Sequence, residues 1–397
     1  MPIIAGEVVP AWTWKPNWSE PVVERLDWLT DCLLAHDGTE QRVQLLDAPR
    51  RSFEFAFAAT GARRRLLDST LYGQGAKRWA LPIFPDGQRL AVAAARDAIE
   101  IPLVTATRDY HATGYALLLA NDGSHEAVEI LEVHSGRLVI AAGLAADWPA
   151  GTSVYPLRLA KLSAQHGLRR FTSDAAYGRL RFDIDAPCAW PAATETQYRG
   201  RPVLLNRPNW IEDVGHDFAR KLAELDYGTG PRVTHDESGY PAIVQTHRWL
   251  LDGRPALGEF RAWIYARRGK YGALWVPTWA KDMVVVAPIS ALAVTIDIAH
   301  CGYSDNIAAG QHRRDIRIVL AAGAVFYRRI SSALEVNETV ERITIDAPLG
   351  VAVGVADVVG ISYLALSRLD TDGVEIAWWS GELAEAAHSV RAVGHDL

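Results

Sequence analysis

Cysteine is scarce in this sequence of 397 residues, and its placement excludes two classes of protein. Cys32, Cys188 and Cys301 are so far apart that no two of them have the spacing of paired metal ligands. The same separation argues against a disulfide scaffold and suits a reducing compartment.

The sequence also lacks a secretion signal and a long apolar run. The N-terminal residues Met-Pro-Ile-Ile-Ala-Gly-Glu have no basic region leading into an apolar segment, so no signal peptide is expected. The most apolar stretch, residues 283–298, is interrupted by Pro288 and Asp297 and is too short to cross a bilayer as a helix. We therefore expect a soluble protein made in a cytoplasm, without membrane insertion.

Lysine is scarce as well, since only six of the 41 basic residues are lysines. The net charge of −6 gives no electrostatic reason to expect nucleic acid as a partner. Arginine pairs such as Arg50-Arg51 and Arg313-Arg314 are scattered along the chain, and we interpret them as surface ion-pair partners. Hydrophobic residues make up 49% and charged residues 22%, which is typical of a globular protein.

One four-residue phrase occurs twice, as Lys-Pro-Asn-Trp at residues 15–18 and as Arg-Pro-Asn-Trp at residues 207–210. The two copies are 207 − 15 = 192 residues apart, close to half of the chain. Three further landmarks follow each copy in the same order. We match Phe53-Glu-Phe55-Ala-Phe57 to Phe260-Arg-Ala-Trp263-Ile-Tyr265, Trp79-Ala-Leu-Pro82 to Trp275-Val-Pro277, and residues 155–162 to residues 363–369.

This order of landmarks predicts a diverged tandem duplication. The alternative is that unrelated β-strands merely resemble one another. On the duplication hypothesis the chain divides into one β-rich unit at residues 1–190 and a second at residues 191–397. The boundary is expected between residues 185 and 207, where prolines and glycines cluster.

Alternation of apolar and polar residues is frequent and predicts strands with one buried face. Residues 53–57, 128–133 and 343–345 are clear cases, and residues 361–369 are predicted as a buried strand. Helical periodicity is limited to residues 63–71 and 213–225. We expect a mainly β protein of two similar β-barrel or β-sandwich units with few short helices.

No catalytic or cofactor-binding pattern is present, so we expect no enzyme, no cofactor and no metal. His216-Asp217 has residue types found in metal sites, but no second histidine is suitably spaced. The carboxylate pairs Asp183 with Asp185 and Asp370 with Asp372 have the residue type of glycoside hydrolases. Their neighbouring glycines and prolines favour turns instead. A hydrolase acting on cell envelope is therefore the weakest hypothesis, behind a structural component and a binding module.

Tryptophan is abundant, with 14 residues, and it suggests two roles. Exposed tryptophans near the termini could stack on sugars in a carbohydrate-binding or receptor-binding module. Packing in the core or at subunit interfaces is the more frequent use of large aromatics. The five tryptophans nearest the termini in this argument are Trp12, Trp14, Trp18, Trp378 and Trp379.

Three stretches resemble structural proteins from the tail tips of bacteriophages with long, non-contractile tails. They are residues 28–55 (Trp-Leu-Thr-Asp-Cys and onward to Phe-Glu-Phe), residues 148–157 (Trp-Pro-Ala-Gly-Thr-Ser-Val-Tyr-Pro-Leu) and residues 260–269. The expected architecture resembles distal tail proteins, whose β-barrel domains form a ring between the tail tube and the baseplate. The duplication departs from that pattern, because a single-copy ring domain needs no second copy in one chain.

The resemblance implies a non-enzymatic structural component of the virion tail tip, assembled in the host cytoplasm. Its partners would be tail tube, hub and tape-measure proteins. If each half takes one position of a six-fold tube, three chains form a pseudo-six-fold ring, and a hexamer is the alternative. A receptor-binding module is the alternative function. Candidate interface residues are Trp12, Trp14, Trp18, Trp79, Phe84, Trp275 and Trp279.

Overall fold

The computed structural model of the chain describes residues 3–4, 6–35, 39–74, 77–164, 167–191, 193–209, 214–237, 239–308, 310 and 312–393. Within these residues the protein is mainly β, as the sequence predicts. Trp210 of the repeated phrase, Asp213 at the start of a predicted helix, and residues 36–38 of the stretch that resembles tail proteins lie outside the described residues.

Alternating side chains produce the strands of the first half, residues 3–184. Phe53, Phe55 and Phe57 all face the core from one strand and are buried. The elements of this half are β1 (Ile3–Ile4), β2 (Glu7–Val8), β3 (Val22–Asp27), β4 (Thr30–Leu34), β5 (Glu40–Gln44), β6 (Arg50–Thr60), α1 (Gly61–Gln74), β7 (Arg78–Pro82), β8 (Gln88–Arg89), β9 (Glu100–Pro102), β10 (Tyr115–Leu119), β11 (His125–His134), β12 (Arg137–Ile140), β13 (Ser153–Leu162), β14 (Gly167–Arg170) and β15 (Ala175–Ile184).

A short hairpin links this half to the second half, residues 214–393. The linking strands are β16 (Gln197–Tyr198) and β17 (Arg201–Pro202). The elements of the second half are β18 (His216–Ala219), β19 (Leu222–Leu225), β20 (Val233–Asp236), β21 (Ala242–Asp252), α2 (Arg254–Arg267), β22 (Leu274–Pro277), β23 (Thr295–Ala299), α3 (Tyr303–Asn306), β24 (Asp315–Leu320), β25 (Val325–Asn337), β26 (Val340–Ile345), β27 (Val358–Leu369), β28 (Gly373–Trp378) and β29 (Leu383–Ala392).

Nine antiparallel strand pairings are common to the two halves. In the first half the antiparallel pairs are β3–β6, β6–β15, β15–β14, β15–β13, β13–β7, β13–β10, β10–β11, β11–β12 and β12–β9. In the second half they are β18–β21, β21–β29, β29–β28, β29–β27, β27–β22, β27–β24, β24–β25, β25–β26 and β26–β23. A 14-residue helix follows β6 in one half and β21 in the other.

The repeated phrase makes the same contact in both halves. The amide of Asn17 donates to the carbonyl of Ala56 at 2.7 Å, and the amide of Asn209 donates to the carbonyl of Arg248 at 2.6 Å. Both members shift by the same amount, since 209 − 17 = 192 and 248 − 56 = 192. The halves are therefore equivalent in topology, whereas their origin by duplication and the boundary near residue 190 stay predictions.

Three large clusters of buried apolar side chains support this architecture. One lies among β9 to β13 of the first half and includes Ile101, Leu118 and Trp148. Its counterpart among β23 to β27 includes Ile318 and Ile343. The largest cluster takes residues from both halves, so the two topologically equivalent units share a core.

The predicted helix at residues 213–225 is wrong. Residues 216–219 form β18, and residues 222–225 form β19 of a hairpin with β20. The three- and four-residue spacing of Phe218, Leu222 and Leu225 does not mark a buried helical face, because all three side chains are exposed. Pairing with neighbouring strands decides the conformation here instead of local periodicity.

The match of Phe260–Tyr265 to the strand at Phe53–Phe57 is also wrong. Phe260 and Tyr265 lie in α2, whose counterpart is α1, and the strand equivalent to β6 is β21. Gly253 has a φ of 81° directly before α2, and Pro255 lies in its first turn, where proline is well tolerated. Phe260, Trp263 and Ile264 have the three- and four-residue spacing of a helical face, and all three are buried.

We expect Trp12→Ala to lower the free energy of unfolding by about 3–5 kcal/mol, because it leaves a cavity in the shared core. The Trp12 side chain is fully buried and packs on Phe57 and Phe182, with ring centroids 5.2 and 5.0 Å away. Urea denaturation followed by tryptophan fluorescence measures the change. Trp379→Ala is the control at a 39% exposed tryptophan, and an equal loss in both variants would contradict this assignment.

Candidate functional site: the junction between the two halves

The halves meet where β28 of the second half pairs antiparallel with β3 of the first half. Since β3 also pairs with β6 and β28 with β29, this contact joins strands of both halves into one sheet. The sequence predicts two similar units but not this continuity. The inward-facing side chains of the pairing are all buried, namely Val22, Glu24, Leu26, Val374, Ile376 and Trp378.

Helix α2 lies over the junction and contacts the first half as well as β21 of its own half. Tyr265 packs edge-to-face on Trp28, with the ring centroids 5.6 Å apart. Gly258 lies so close to Thr107 that a Cβ at this position would come within 2.4 Å of the Thr107 Cγ2. The helix is thus fitted to the first half through both aromatic packing and close backbone approach.

Charged side chains fill the centre of the junction. Glu24 accepts hydrogen bonds from Arg51 Nε at 2.7 Å, Arg261 Nη2 at 3.0 Å and the Trp378 indole at 2.9 Å. Asp86 accepts from Arg254 at 2.7 Å and from Arg261 at 3.1 Å. We call the following set the junction network: Glu24, Arg51, Asp86, Asp109, Arg158, Arg254 and Arg261.

The junction network links the halves because its partners come from both. Glu24 and Asp86 belong to the first half, and both are completely buried. Arg254 and Arg261 belong to α2, and the Arg261 guanidinium also lies 5.0 Å from the ring centroid of Trp378. Removing one partner would leave a buried charge without its counterion, which destabilises the fold far more than the loss of a surface ion pair does.

Electrostatics keep Asp109 and Asp86 of this network ionised. Burial by itself raises the pKa of Asp109, but the guanidiniums of Arg51 and Arg158 outweigh burial and hold that pKa below its ordinary value. Burial likewise opposes ionisation of Asp86, and Arg261 and Arg254 lower its pKa. These two carboxylates are therefore anions whose hydrogen-bonding capacity is used by structural partners.

The β4–β5 hairpin of the first half binds the second half through two sets of hydrogen bonds. Arg368 donates two hydrogen bonds to Glu40 in the β4–β5 hairpin, at 2.6 and 2.7 Å, in the bidentate geometry typical of strong pairs. The amide and hydroxyl of Thr30 both donate to Asp372 at 2.9 Å. The junction is thus stabilised by strand pairing, by helix α2, by the junction network and by the β4–β5 hairpin.

The four aspartates that the sequence offers as carboxylate pairs lie in ion pairs or turns. Asp185 pairs with Arg78 and Lys161, and Asp370 pairs with Arg391. Asp183 accepts from Arg181, and Asp372 holds the β4–β5 hairpin through Thr30. These contacts assign structural roles to the four side chains.

Metal-type residues come together in one place among the described residues. His300, Asp305 and Glu335 present ligand atoms within 4.8 Å of one another, and all three are exposed. His216 and Asp217, the pair named from the sequence, lie on the edge strand β18 and not on a helix. The three groups are solvated, and the His300 ring also lies 3.9 Å from the buried carboxylate of Glu341.

Most of the candidate interface aromatics lie in the core. Such rings stabilise the chain itself, and Trp18, at 37% exposure, and the half-buried Trp279 are the two that reach the surface. An interface role for the set stays a prediction. The buried members are Trp12, Trp14, Trp79, Phe84 and Trp275. Of the other two tryptophans considered as a sugar platform, Trp378 is buried and Trp379 is exposed at 39%.

Local sequence patterns do not predict the junction network. One signal for it was available in β3, where Glu24 occupies an inward position between Val22 and Leu26. A charge in the apolar register of a strand requires a buried partner. The partner could not be identified from the sequence, because Arg261 is 237 residues away.

Comparison with known proteins gives no relative from which a role could be transferred. No protein-family model matches the chain, and no curated protein matches it significantly. In the part of the chain that the structure describes, every helix is too short or too polar to cross a membrane. The geometry of the junction is consequently the basis for functional reasoning.

We expect Arg261→Leu to reduce the free energy of unfolding by about 3–5 kcal/mol, because Glu24 and Asp86 would lose a shared buried guanidinium. Arg25→Leu is the matched control, since Arg25 pairs with Glu375 across the same two strands but on the exposed face. The control should cost about 0–1 kcal/mol in urea denaturation. Equal losses would contradict a special role for the buried network.

Two buried histidines predict how stability depends on pH. His247 on β21 lies directly opposite His388 on β29, and burial lowers the pKa of each to about 4. A depressed folded pKa means that the unfolded chain binds the proton first, at about pH 6.5. Stability is thus fully present above pH 6.5 and falls as the pH drops toward 4, by about 1.4 kcal/mol per pH unit for each histidine.

Urea denaturation between pH 7 and pH 4.5 measures this slope. His388→Gln should reduce the slope by about half, because one titrating group is removed. Below about pH 4 the lowered pKa values of Asp86 and Asp109 add a further loss of stability. A free energy of unfolding that stays constant from pH 7 to pH 5 would contradict the assignment.

Proposed function

We propose that the protein is a non-enzymatic structural subunit of a bacteriophage tail tip. It would form a ring that links the tail tube to the hub or receptor-binding apparatus. The resemblance of residues 28–55, 148–157 and 260–269 to tail-tip proteins supports this assignment. The mainly β architecture is compatible with it.

One observation supports the ring most directly. The chain contains two topologically equivalent halves that meet head to tail. Strand β3 of the first half contacts β28 of the second half and not β18, its own equivalent there. A head-to-tail contact repeated between subunits generates a closed ring when the rotation between units divides a full turn. In our proposal three chains supply six equivalent positions around a tail tube.

The junction network supports a rigid two-part subunit. Glu24 and Asp86 of the first half are bound to Arg254 and Arg261 of the second, and the largest apolar cluster is shared. Domains that meet through such a buried and specific contact do not hinge freely. A fixed angle between halves is what a subunit occupying two adjacent ring positions requires.

Exposed leucines offer a contact with a neighbouring tail protein. Leu33 and Leu34 in β4 and Leu45 after β5 are 59, 61 and 54% exposed. They lie on the hairpin whose Glu40 holds the second half, so its position is fixed. Grouped apolar side chains on a fixed projection suit a protein interface. We place the tail tube or hub as the partner and the virion tail tip as the location, with assembly in the host cytoplasm.

The receptor-binding alternative keeps two of the five terminal tryptophans at the surface, since Trp12, Trp14 and Trp378 are buried. We retain it as an outcome of the experiment below. Trp18 and Trp379 would be its stacking residues, at 37 and 39% exposure.

The test uses particles of the virus whose genome encodes this chain. Antibodies raised against the purified chain should label the tail tip, and particles made without the gene should lack an assembled tip. Quantitative mass spectrometry should give three copies for each tail. Absence from the particle would contradict the proposal, and six copies around the axis would exclude the three-chain form. Normal tails without the chain, combined with blocked attachment to host cells, would favour receptor binding.

A further inference from the structure

We propose that neighbouring chains join by repeating the junction that already exists inside each chain. Strand β14 of one copy pairs antiparallel with β18 of the next, and α1 of the first copy enters a cleft in the second half of its neighbour. The proposal names the partner surfaces of the ring inferred above, so it rests on that ring. It does not depend on the ring belonging to a phage tail.

The two outer edges of the sheet are the equivalents of the joined strands. Strand β28 is bound to β29 and β3, whereas its counterpart β14 is bound among the described residues to β15 alone. Strand β3 is bound to β6 and β28, whereas its counterpart β18 is bound there to β21 alone. Open strand edges present unpaired amides and carbonyls that template pairing with another strand.

The internal pairing fixes the register of the new one. Leu168 pairs with Gly178, and Ile376 pairs with Ala386. Each residue of the second pair lies 208 positions after its counterpart in the first, since 376 − 168 = 208 and 386 − 178 = 208. Glu24 pairs with Phe53, and His216 pairs with Gln245. Here the counterparts are 192 positions apart, since 216 − 24 = 192 and 245 − 53 = 192. Ile376 faces Glu24 inside the chain. The equivalent pair between chains is Leu168 opposite His216, with Gly167 opposite Asp217.

The two helices show the same contrast between a used and an unused surface. Helices α1 and α2 correspond with a shift of 193 residues at both ends, since 254 − 61 = 193 and 267 − 74 = 193. Tyr265 in the last turn of α2 is buried in the junction, at 9% exposure. Tyr72, its counterpart in α1, is 95% exposed. Because the equivalent tyrosine of α2 is buried at the internal junction, we assign the exposed Tyr72 to a contact with a second chain.

The second half contains a cleft where the first half is filled. A cavity of 370 Å³ opens beside β18 and is lined by Phe218, Ile243, Trp275 and Arg313 among others. By the 192-residue shift, Ile243 corresponds to Arg51, which shares Glu24 with Arg261 of α2. The corresponding space in the first half therefore lies under α2. The cleft is positioned to take α1 of a second copy.

A single carboxylate of α1, that of Asp68, can meet the cations that line this cleft. Asp68 of α1 corresponds to Arg261 of α2 by the 193-residue shift, and it is exposed beside Arg170. In the cleft, the Arg313 guanidinium lies over the rings of Tyr363 and Phe218 at 4.9 and 5.6 Å. The signs are reversed relative to the internal junction, where an arginine of the helix meets carboxylates.

The ionic network itself is not repeated. The counterparts of Glu24 and Arg51 are His216 and Ile243, so the contact between chains lacks the buried pair at this point. Apolar groups at the edge replace it, with Phe218, Leu222 and Tyr227 exposed at 57, 53 and 79%. The contact between chains is consequently weaker and more apolar than the contact within a chain, as suits a step that assembles folded subunits.

Disulfide trapping of the full-length purified chain tests the register. Leu168→Cys and His216→Cys are introduced together in a background with Cys32→Ser and Cys301→Ser, and the concentrated protein is mildly oxidised. Residues directly opposite in an antiparallel pair lie about 4.5–5.5 Å apart, within reach of a disulfide. The control pair, Leu168→Cys with Phe218→Cys, is offset by two residues at about 7–8 Å.

We expect covalent multimers from the in-register pair, with a yield at least tenfold above that of the offset pair. Adding Tyr72→Glu should reduce this yield at least tenfold without changing the thermal unfolding of the subunit, because the side chain is free in a single chain. Leu66→Glu is the matched control, since its counterpart Glu259 stays exposed beside the internal junction. It should leave the yield unchanged.

An absent multimer ladder, equal yields from both cysteine pairs, or equal effects of Tyr72→Glu and Leu66→Glu would overturn the proposed junction. The experiment uses the isolated chain, so its result is independent of location. A chain that labels the tail tip but gives no ladder would retain the proposed function and refute this junction. A ladder from a chain absent from virions would do the reverse.

Discussion

The pairing of β28 with β3 is the constraint on which the architecture depends, because it brings the end of the chain back onto its beginning. Without it, two equivalent units would be tethered by a linker and each would expose strand edges. With it, strands of both halves form one sheet, and α2 is carried onto the first half. Edge strands need partners, and the chain supplies one partner internally while leaving β14 and β18 as two equivalent outer edges of the sheet.

Buried charge gives that pairing its specificity. Apolar packing alone would tolerate a shift of the halves, whereas Glu24 and Asp86 need guanidiniums at fixed positions. Arg261 reaches both carboxylates at once, so a displaced helix would leave at least one anion buried without its partner. Such networks add little net stability compared with apolar packing, and here we assign them the role of fixing an angle between halves.

Local patterns predicted what depends on local structure. Alternation identified β6, a short apolar run flanked by Gly360 and Asp370 identified β27, and the helical pattern at residues 63–71 lies within α1. Local patterns do not predict β18, an edge strand with little burial, or α2, whose aromatic residues resemble the alternating aromatics of β6. The site was beyond such patterns, because Trp378 and Glu24 are 354 residues apart in sequence.

The most direct test of the account is a reconstruction of the assembled ring by electron cryomicroscopy, at a resolution that separates strands. The account predicts three chains with six similar lobes. In the contact between chains, β14 should continue into β18 of the next copy with Leu168 opposite His216, and α1 should occupy the cleft beside Arg313. A ring in which these edges face solvent, or in which the two halves of a chain occupy different radii, would contradict it.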